Sequence, residues 1–221
     1  MDVVEAILDR RSVRGFLDRP VSRETLTSIL ETARWSPSGV NLQPWRVVVA
    51  TGRTLAVLKE RLTAQALSGA PAAPDYRFHP EIWKEPYLGR RRSCGFGLLE
   101  AMGIDRADGV RRRAAWLANY SFFGAPAALL LFMDRDLGQG GWMDMGMFIQ
   151  TVLLAIHAHG LGGCPQAATA DYPDVVRSIL GVERQFLLLG SLAVGHPDPG
   201  ALANGWRTSR MTVAEFATFL D

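Results

Sequence analysis

The chain has 221 residues, 48% of them hydrophobic, with a formal net charge of only +2 at pH 7. That length can bury a substantial core as one domain, 1–221, although two small domains would also fit. Nearly all the positive charge is arginine, since Lys59 and Lys84 are the only lysines, and so balanced a chain gives no ground for a nucleic-acid-binding surface. Cys94 and Cys164 are too few for a disulfide framework and the N-terminus lacks the order of a secretory signal, so a reducing, cytoplasmic location is expected.

In chain order, Val3, Val4, Ile7 and Leu8 recur at helical spacing, and a second helix is expected from a Ser22 cap through Leu26, Ile29, Leu30 and Ala33. Between them RRSVRGF, residues 10–16, reads as extended. A Pro/Ser/Gly loop at 36–44 leads into a β-branched strand, Trp45–Ala50, and then a helix, Arg53–Leu67. The segment Gly69–Pro86 is rich in proline and carries Tyr76, Phe78, His79 and Trp83, which fits a long functional loop better than a linker. Helices over about 87–102 and 105–120 follow, with basic clusters Arg90–Arg92 and Arg111–Arg113 whose plainer reading is two solvated faces. Ala127–Met133 is a buried strand. The apolar run from Trp142 to Ala158 is broken by Asp144, Gln150 and His157 and falls short of a bilayer span, so no membrane association is expected and a core helix is placed at 144–159, closed by Gly160. GLGGCPQAA, 160–168, reads as a glycine-rich loop; Pro173–Leu180 as a short helix, Phe186–Gly195 as a strand, and Val213–Leu220 as a closing helix. Helices and strands alternate irregularly, without a strand-linked G-x-G-x-x-G, so the class is α+β rather than doubly wound.

Side chains alternate along an extended segment, so Arg10, Ser12 and Arg14 share one face while Arg11 and Val13 take the other. Two guanidinium groups flanking a hydroxyl make a phosphate-sized anion site; the competing reading pairs these arginines with Asp9, Asp18 or Glu24. In WSPSGVNLQPWR, 35–46, Pro37, Ser38 and Gly39 can hold a tight turn that bares backbone N–H groups, while Asn41 and Gln43 bring amides that both donate and accept. A flavin's pyrimidine edge has that need, although such a loop can equally be a plain connection. The glycines of 160–168 let backbone approach a flat ligand, and WRTSR adds Arg207 and Arg210 as a second anion clamp. His157 and His159 sit two apart on a helix, facing different ways, so no metal is expected. Cys164 beside Pro165 is explained by packing as well as by a nucleophilic role.

Taken in order, R-R-S-x-R-x-F near residue ten, S-P-S-G-x-N-x-Q-P-W, G-x-G-G-C-P after a long apolar helix, and an arginine close to the C-terminus resemble the nitroreductase family of FMN-dependent NAD(P)H oxidoreductases. The resemblance runs from Arg10 to Arg210. It implies a central, mostly antiparallel sheet flanked by helices, in an intertwined homodimer with two FMN sites at its interface. By it, Arg10, Arg11, Ser12 and Arg14, with Arg210 and Arg207, hold the phosphate and the N1–O2 edge of the flavin, Arg14 being the candidate for that edge. Pro37, Ser38, Gly39 and Asn41 come from the partner subunit, Gln43 lies beside the ring, and a backbone N–H after Pro165, on Gln166 or Ala167, reaches flavin N5. Where some members have a glutamate in that loop this chain has Ala167 or its neighbours, and WRTSR replaces a lysine-serine-arginine ending. The middle segment is similar to the nitrobenzoate-reductase branch, with about 70–120 as a lid or insert over the flavin. The implied reaction passes hydride from NAD(P)H through flavin N5 to a small nitroaromatic or quinone-type acceptor by a ping-pong mechanism. Reductive dehalogenation or flavin fragmentation on the same fold, and a non-catalytic FMN-binding protein, remain as alternatives.

Overall fold

The computed structural model describes residues 2–220. Its regular elements are α1 Val3–Asp9, α2 Arg23–Ala33, β1 Arg46–Thr51, α3 Gly52–Leu67, α4 Tyr87–Ala101, α5 Gly109–Leu117, β2 Ala127–Asp134, α6 Gln139–Ala158, β3 Gly162–Gln166, α7 Pro173–Leu180, β4 Phe186–Gly195 and α8 Val213–Phe216. The continuous apolar run of β2 is buried on both faces because helices cover both sides of the sheet. Leu129, Leu131 and Met133 meet Leu26 and Ile29 of α2 and Phe148, Val152 and Ile156 of α6. Ala128, Leu130 and Phe132 point the other way, onto Leu55, Leu58 and Leu62 of α3 and Val176 of α7. The result is a three-layer α+β fold whose sheet runs β1-β2-β4-β3, every neighbouring pair antiparallel.

Helix ends follow their local signals. Ser22 accepts the Thr25 N–H at 3.1 Å, capping α2, and α7 starts on Pro173 and stops at Gly181 in the left-handed region. The departures from expectation have local causes. α6 begins at Gln139 rather than Asp144, because Gly141 is buried where a Cβ would lie only 3.0 Å from the Met133 sulfur, letting the first turn press onto the sheet. α5 is shorter than expected because the Asp108 carboxylate caps it by accepting the Arg111 N–H at 2.9 Å. α8 ends at Phe216; Phe219 and Leu220 stand exposed, packed against no part of the core among the described residues.

The largest correction is β3, expected as a glycine-rich loop and found as a strand antiparallel to β4. It is an edge strand, where a proline such as Pro165 forfeits no ladder bond on its open side. The arginine stretch lies against it. Ser12 forms a parallel bridge with Gly163, and the Val13 N–H donates to the Gly163 carbonyl at 3.1 Å. A Cβ on Gly162 would sit 2.6 Å from Val13 Cγ2, so glycine there is what allows the two segments to lie flush. The segment 69–86 is not loose at its start: the Ala73 N–H bonds the Asp171 carbonyl, and the Tyr76 hydroxyl donates to the Leu189 carbonyl at 2.6 Å.

Candidate functional site

The extended stretch and the C-terminal segment converge on one cavity of about 500 Å³, lined by Arg10, Arg11, Ser12, Arg14, Gln150, Arg207 and Arg210. Asn204 shapes the stretch: its amide oxygen accepts the Arg14 N–H at 2.7 Å and its amide nitrogen donates to the Gly15 carbonyl at 2.8 Å. The competing reading, pairing with Asp9, Asp18 or Glu24, finds no ion pair to support it. Among the described residues none of these five arginines forms an ion pair. Arg207 instead donates to the Leu8 carbonyl, and Arg210 to the carbonyls of Ser209 and Thr208. Arg10 has a buried Nε with no partner. Burial, and then the neighbouring charges of Arg210 and Arg207, hold its guanidinium below its usual pKa. A cationic cluster with open donors and no ion-paired carboxylate fits a phosphomonoester such as that of FMN, whose dianion would take up those donors.

A second, larger cavity of about 890 Å³ opens beside the first, with Arg14 in the wall of both. Its other walls are α4 and α5, with Phe96, Trp116 and Asn119 among arginines. Asn119 ties this region to the end of β3, since its carbonyl accepts the Gln166 Nε2–H at 2.7 Å. Gln166 is buried and its Oε1 has no partner. A bulge in β4 makes room for this turn: register slips between Leu131 and Phe132, and Gly190, at φ 142°, leaves the Gln166 carbonyl where a Cβ would come within 2.5 Å of it. Pro165 is exposed and Ala167 half-buried at the same end. The Cys164 thiol faces inward, and burial pushes its pKa up to about 11 against the opposing pull of Arg14, Ser12 and Arg10, so it is a packed thiol rather than a nucleophile.

The Pro37–Gln43 stretch is not brought to these cavities within one chain. It docks instead on α6, where the Gly39 N–H donates to the buried Asp144 carboxylate at 3.1 Å and Trp45 stacks on Phe148 at 4.8 Å. Ser38 Oγ accepts the Gln43 N–H at 3.0 Å and the Gln43 amide donates to the Asn41 carbonyl at 3.2 Å. Val40, Asn41 and Gln43 have φ of 45°, 59° and 53°; three left-handed non-glycine residues in one short loop mark strain held for a purpose. The loop's own apolar residues face solvent, Val40 fully and Trp35 at 81%. Sequence reasoning missed Asn204, Gln150 and Asn119. Gln150 and Asn119 carry no local pattern, and Asn204 gave a signal only through its place just before WRTSR.

The nitroreductase family model matches residues 7–196. A nitrobenzene nitroreductase of Ectopseudomonas oleovorans is 36% identical over 98% of this chain and 96% of its own length. Among solved structures, the FMN and NADPH-dependent nitroreductase NfnB of Sphigopyxis sp. strain HMH superimposes with a TM-score of 0.97 at 38% identity, covering all of both chains. The FMN-dependent nitroreductase NfnB of Mycobacterium smegmatis, in complex with NADPH, does so with a TM-score of 0.94 at 32% identity over 99% of this chain and 97% of its own. On the whole-length match, the ordered motifs and the shared fold, this chain belongs to the nitroreductase family.

Proposed function

We propose that the chain is an FMN-dependent NAD(P)H oxidoreductase that reduces a nitroaromatic or quinone-type acceptor by a ping-pong mechanism, as a homodimer. The observation that carries this reading is the cluster of Arg10, Arg207 and Arg210, which forms no ion pair among the described residues and opens through Arg14 into a large cavity. FMN bound there supplies two-electron chemistry at N5. The chain's own residues bind, orient and exclude water. Arg10, Arg11, Ser12, Arg207 and Arg210 hold the phosphate. Arg14, at the junction of the two cavities, places a positive charge at the N1–O2 edge, where reduction builds negative charge. The backbone at Gln166 and Ala167 approaches N5, and the segment 70–120 covers the ring.

The remaining residues of the site, Pro37, Ser38, Gly39, Asn41 and Gln43, reach the ring from a second copy of the chain. Several apolar side chains stand unpartnered on one protomer: Val3, Val4, Ile7 and Leu8 of α1, Trp35, Val40, and Met143 of α6. Exposed apolar surface on that scale marks an interface. The names of the relatives and neighbours support the same reaction, since they describe nitroreductases that use FMN and NADPH.

The test is anaerobic. Adding NADPH to the purified yellow protein should bleach it, and nitrobenzene or a quinone, added after the nucleotide is removed, should restore the colour. A flavin that stays oxidised with both NADPH and NADH would overturn the reading, and a monomeric, flavin-loaded species in sedimentation would overturn the shared site.

A further inference from the structure

α4 and α5, like the short α8, bury no residue, yet they line most of an open cavity of about 890 Å³. Besides Arg14, four guanidinium groups line it, from Arg91, Arg92, Arg112 and Arg113, and none of these four forms an ion pair with a carboxylate among the described residues. The arrangement is partly fixed. Arg91 lies over the Trp83 ring at 4.9 Å, and Arg112 donates to the Arg106 carbonyl at 2.8 Å while Arg106 stacks on Phe96 at 4.2 Å. Arg111, by contrast, donates to the Gly103 carbonyl and does not line the cavity. Solvated surface arginines need no common cavity, whereas these share one with Arg14 of the phosphate cradle.

We infer that this cavity binds the 2′-phosphate end of NADPH, so that Arg91, Arg92, Arg112 and Arg113 make the protein prefer NADPH to NADH as electron donor. The inference rests on the oxidoreductase reading above and deepens it. A monocarboxylate is satisfied by one forked guanidinium, but a phosphomonoester carries a charge of about −1.5 to −2 and three acceptor oxygens. That charge matches a set of guanidiniums better than a benzoate does. The apolar wall, Phe96 and Trp116, offers surface for the attached adenine. The nicotinamide then reaches the flavin along the side of the cavity that Arg14 closes.

The experiment uses the flavin-loaded protein and two probes, adenosine 2′,5′-bisphosphate and adenosine 5′-monophosphate, titrated by calorimetry, together with rates of anaerobic flavin reduction by NADPH and NADH. The bisphosphate should bind at least about tenfold tighter than the monophosphate, and kcat/KM should favour NADPH by a similar factor. In the double variant Arg92→Ala/Arg113→Ala, at exposed helix positions that alanine suits, both ratios should fall toward one. Equal binding of the two probes would overturn the inference. So would a variant that keeps the NADPH to NADH ratio while losing kcat/KM for 4-nitrobenzoate relative to nitrobenzene, which would assign the arginines to an acceptor carboxylate. Should neither nucleotide reduce the flavin, the oxidoreductase reading fails, and the bisphosphate titration still decides whether the cavity takes a 2′-phosphate.

Discussion

Two arginine clusters in this molecule solve the same electrostatic problem in opposite ways. At the start of β4 Arg177, with its side chain only 6% exposed, pairs with Asp75, which also accepts from Arg135 at 3.0 Å and from the Leu188 N–H at 3.0 Å. Arg177 donates further to the Phe186 carbonyl at 2.7 Å and to Asp174 at 3.3 Å. At the cradle, Arg10 faces Arg207 and Arg210, and among the described residues none of the three forms an ion pair, although Asp9 and Asp198 line a neighbouring cavity with Arg10 and Arg207. Both arginines leave a buried Nε unpartnered, so an orphan nitrogen alone does not separate them. The counter-charge does. Taking a guanidinium from water is costly unless an anion meets it, so the first cluster is complete within the chain, whereas the second is completed only from outside.

The sharpest break of that comparison is at Asp75. Asp75→Ala leaves buried Arg177 with only the exposed Asp174 carboxylate as counter-charge and should cost about 3–5 kcal/mol, the range for removing one member of a buried pair, read from urea denaturation. The effect should depend on pH. Burial by itself would raise the Asp75 pKa, but hydrogen bonds from Arg177, the Leu188 N–H and Arg135 outweigh it and hold the carboxyl below its usual range. A carboxyl depressed in the folded state contributes stability above its unfolded pKa of about 3.9, and that contribution is lost as pH falls toward the folded value. The gap between wild type and variant should therefore narrow below about pH 4. A gap that stays constant through that range would show that packing, not charge pairing, makes the difference.

Arg10→Ala should behave in the opposite sense. It removes a charge that the apoprotein leaves unneutralised, so the apoprotein should unfold no earlier than wild type. FMN binding should nonetheless weaken by about 2–3 kcal/mol, the loss of a charge-assisted bond to a buried partner. A fluorescence titration with FMN and a melting curve of the apoprotein test the two halves separately. If the apoprotein lost as much stability as Asp75→Ala does, the two clusters would be alike after all.

The elements that were legible in the sequence are those whose signals are local. The unbroken apolar run of β2, the Ser22 cap of α2, and Pro173 with Gly181 around α7 each act within a turn or a strand. β3 was illegible for the same reason: Gly162, Gly163 and Pro165 have poor strand propensity, and only the partner β4 and the edge position make them a strand. Likewise Arg10, Ser12 and Arg14 announced an anion site by composition, whereas the Asp75–Arg177 pair joins residues 102 positions apart and leaves no trace in either neighbourhood. The left-handed conformations of Val40 and Gln43 were equally hidden, since neither side chain favours positive φ; of the three, only Asn41 is of a type enriched there. The unpaired state of the cradle arginines was a choice between two readings until the surrounding carboxylates had positions.

The smallest effect lies at Cys164, where the cradle's field meets the core. Arg14 and Arg10 favour the thiolate, as does the Ser12 hydroxyl, yet burial dominates and leaves the pKa at about 11. At pH 8 about one thiol in a thousand is then ionised, so iodoacetamide should label exposed Cys94 and spare Cys164 until denaturant is added. Arg10→Ala, by removing one favouring charge, should protect Cys164 further, and Cys164→Ala should alter steady-state turnover less than about threefold, under 1 kcal/mol. Mass spectrometry of the alkylated peptides distinguishes the two cysteines. Labelling of Cys164 in the native protein at a rate like that of Cys94 would mean that the arginines act on the thiol rather than on a bound phosphate. Slow labelling, slower still in Arg10→Ala, would show that burial keeps the thiol protonated while Arg10 acts on it only weakly.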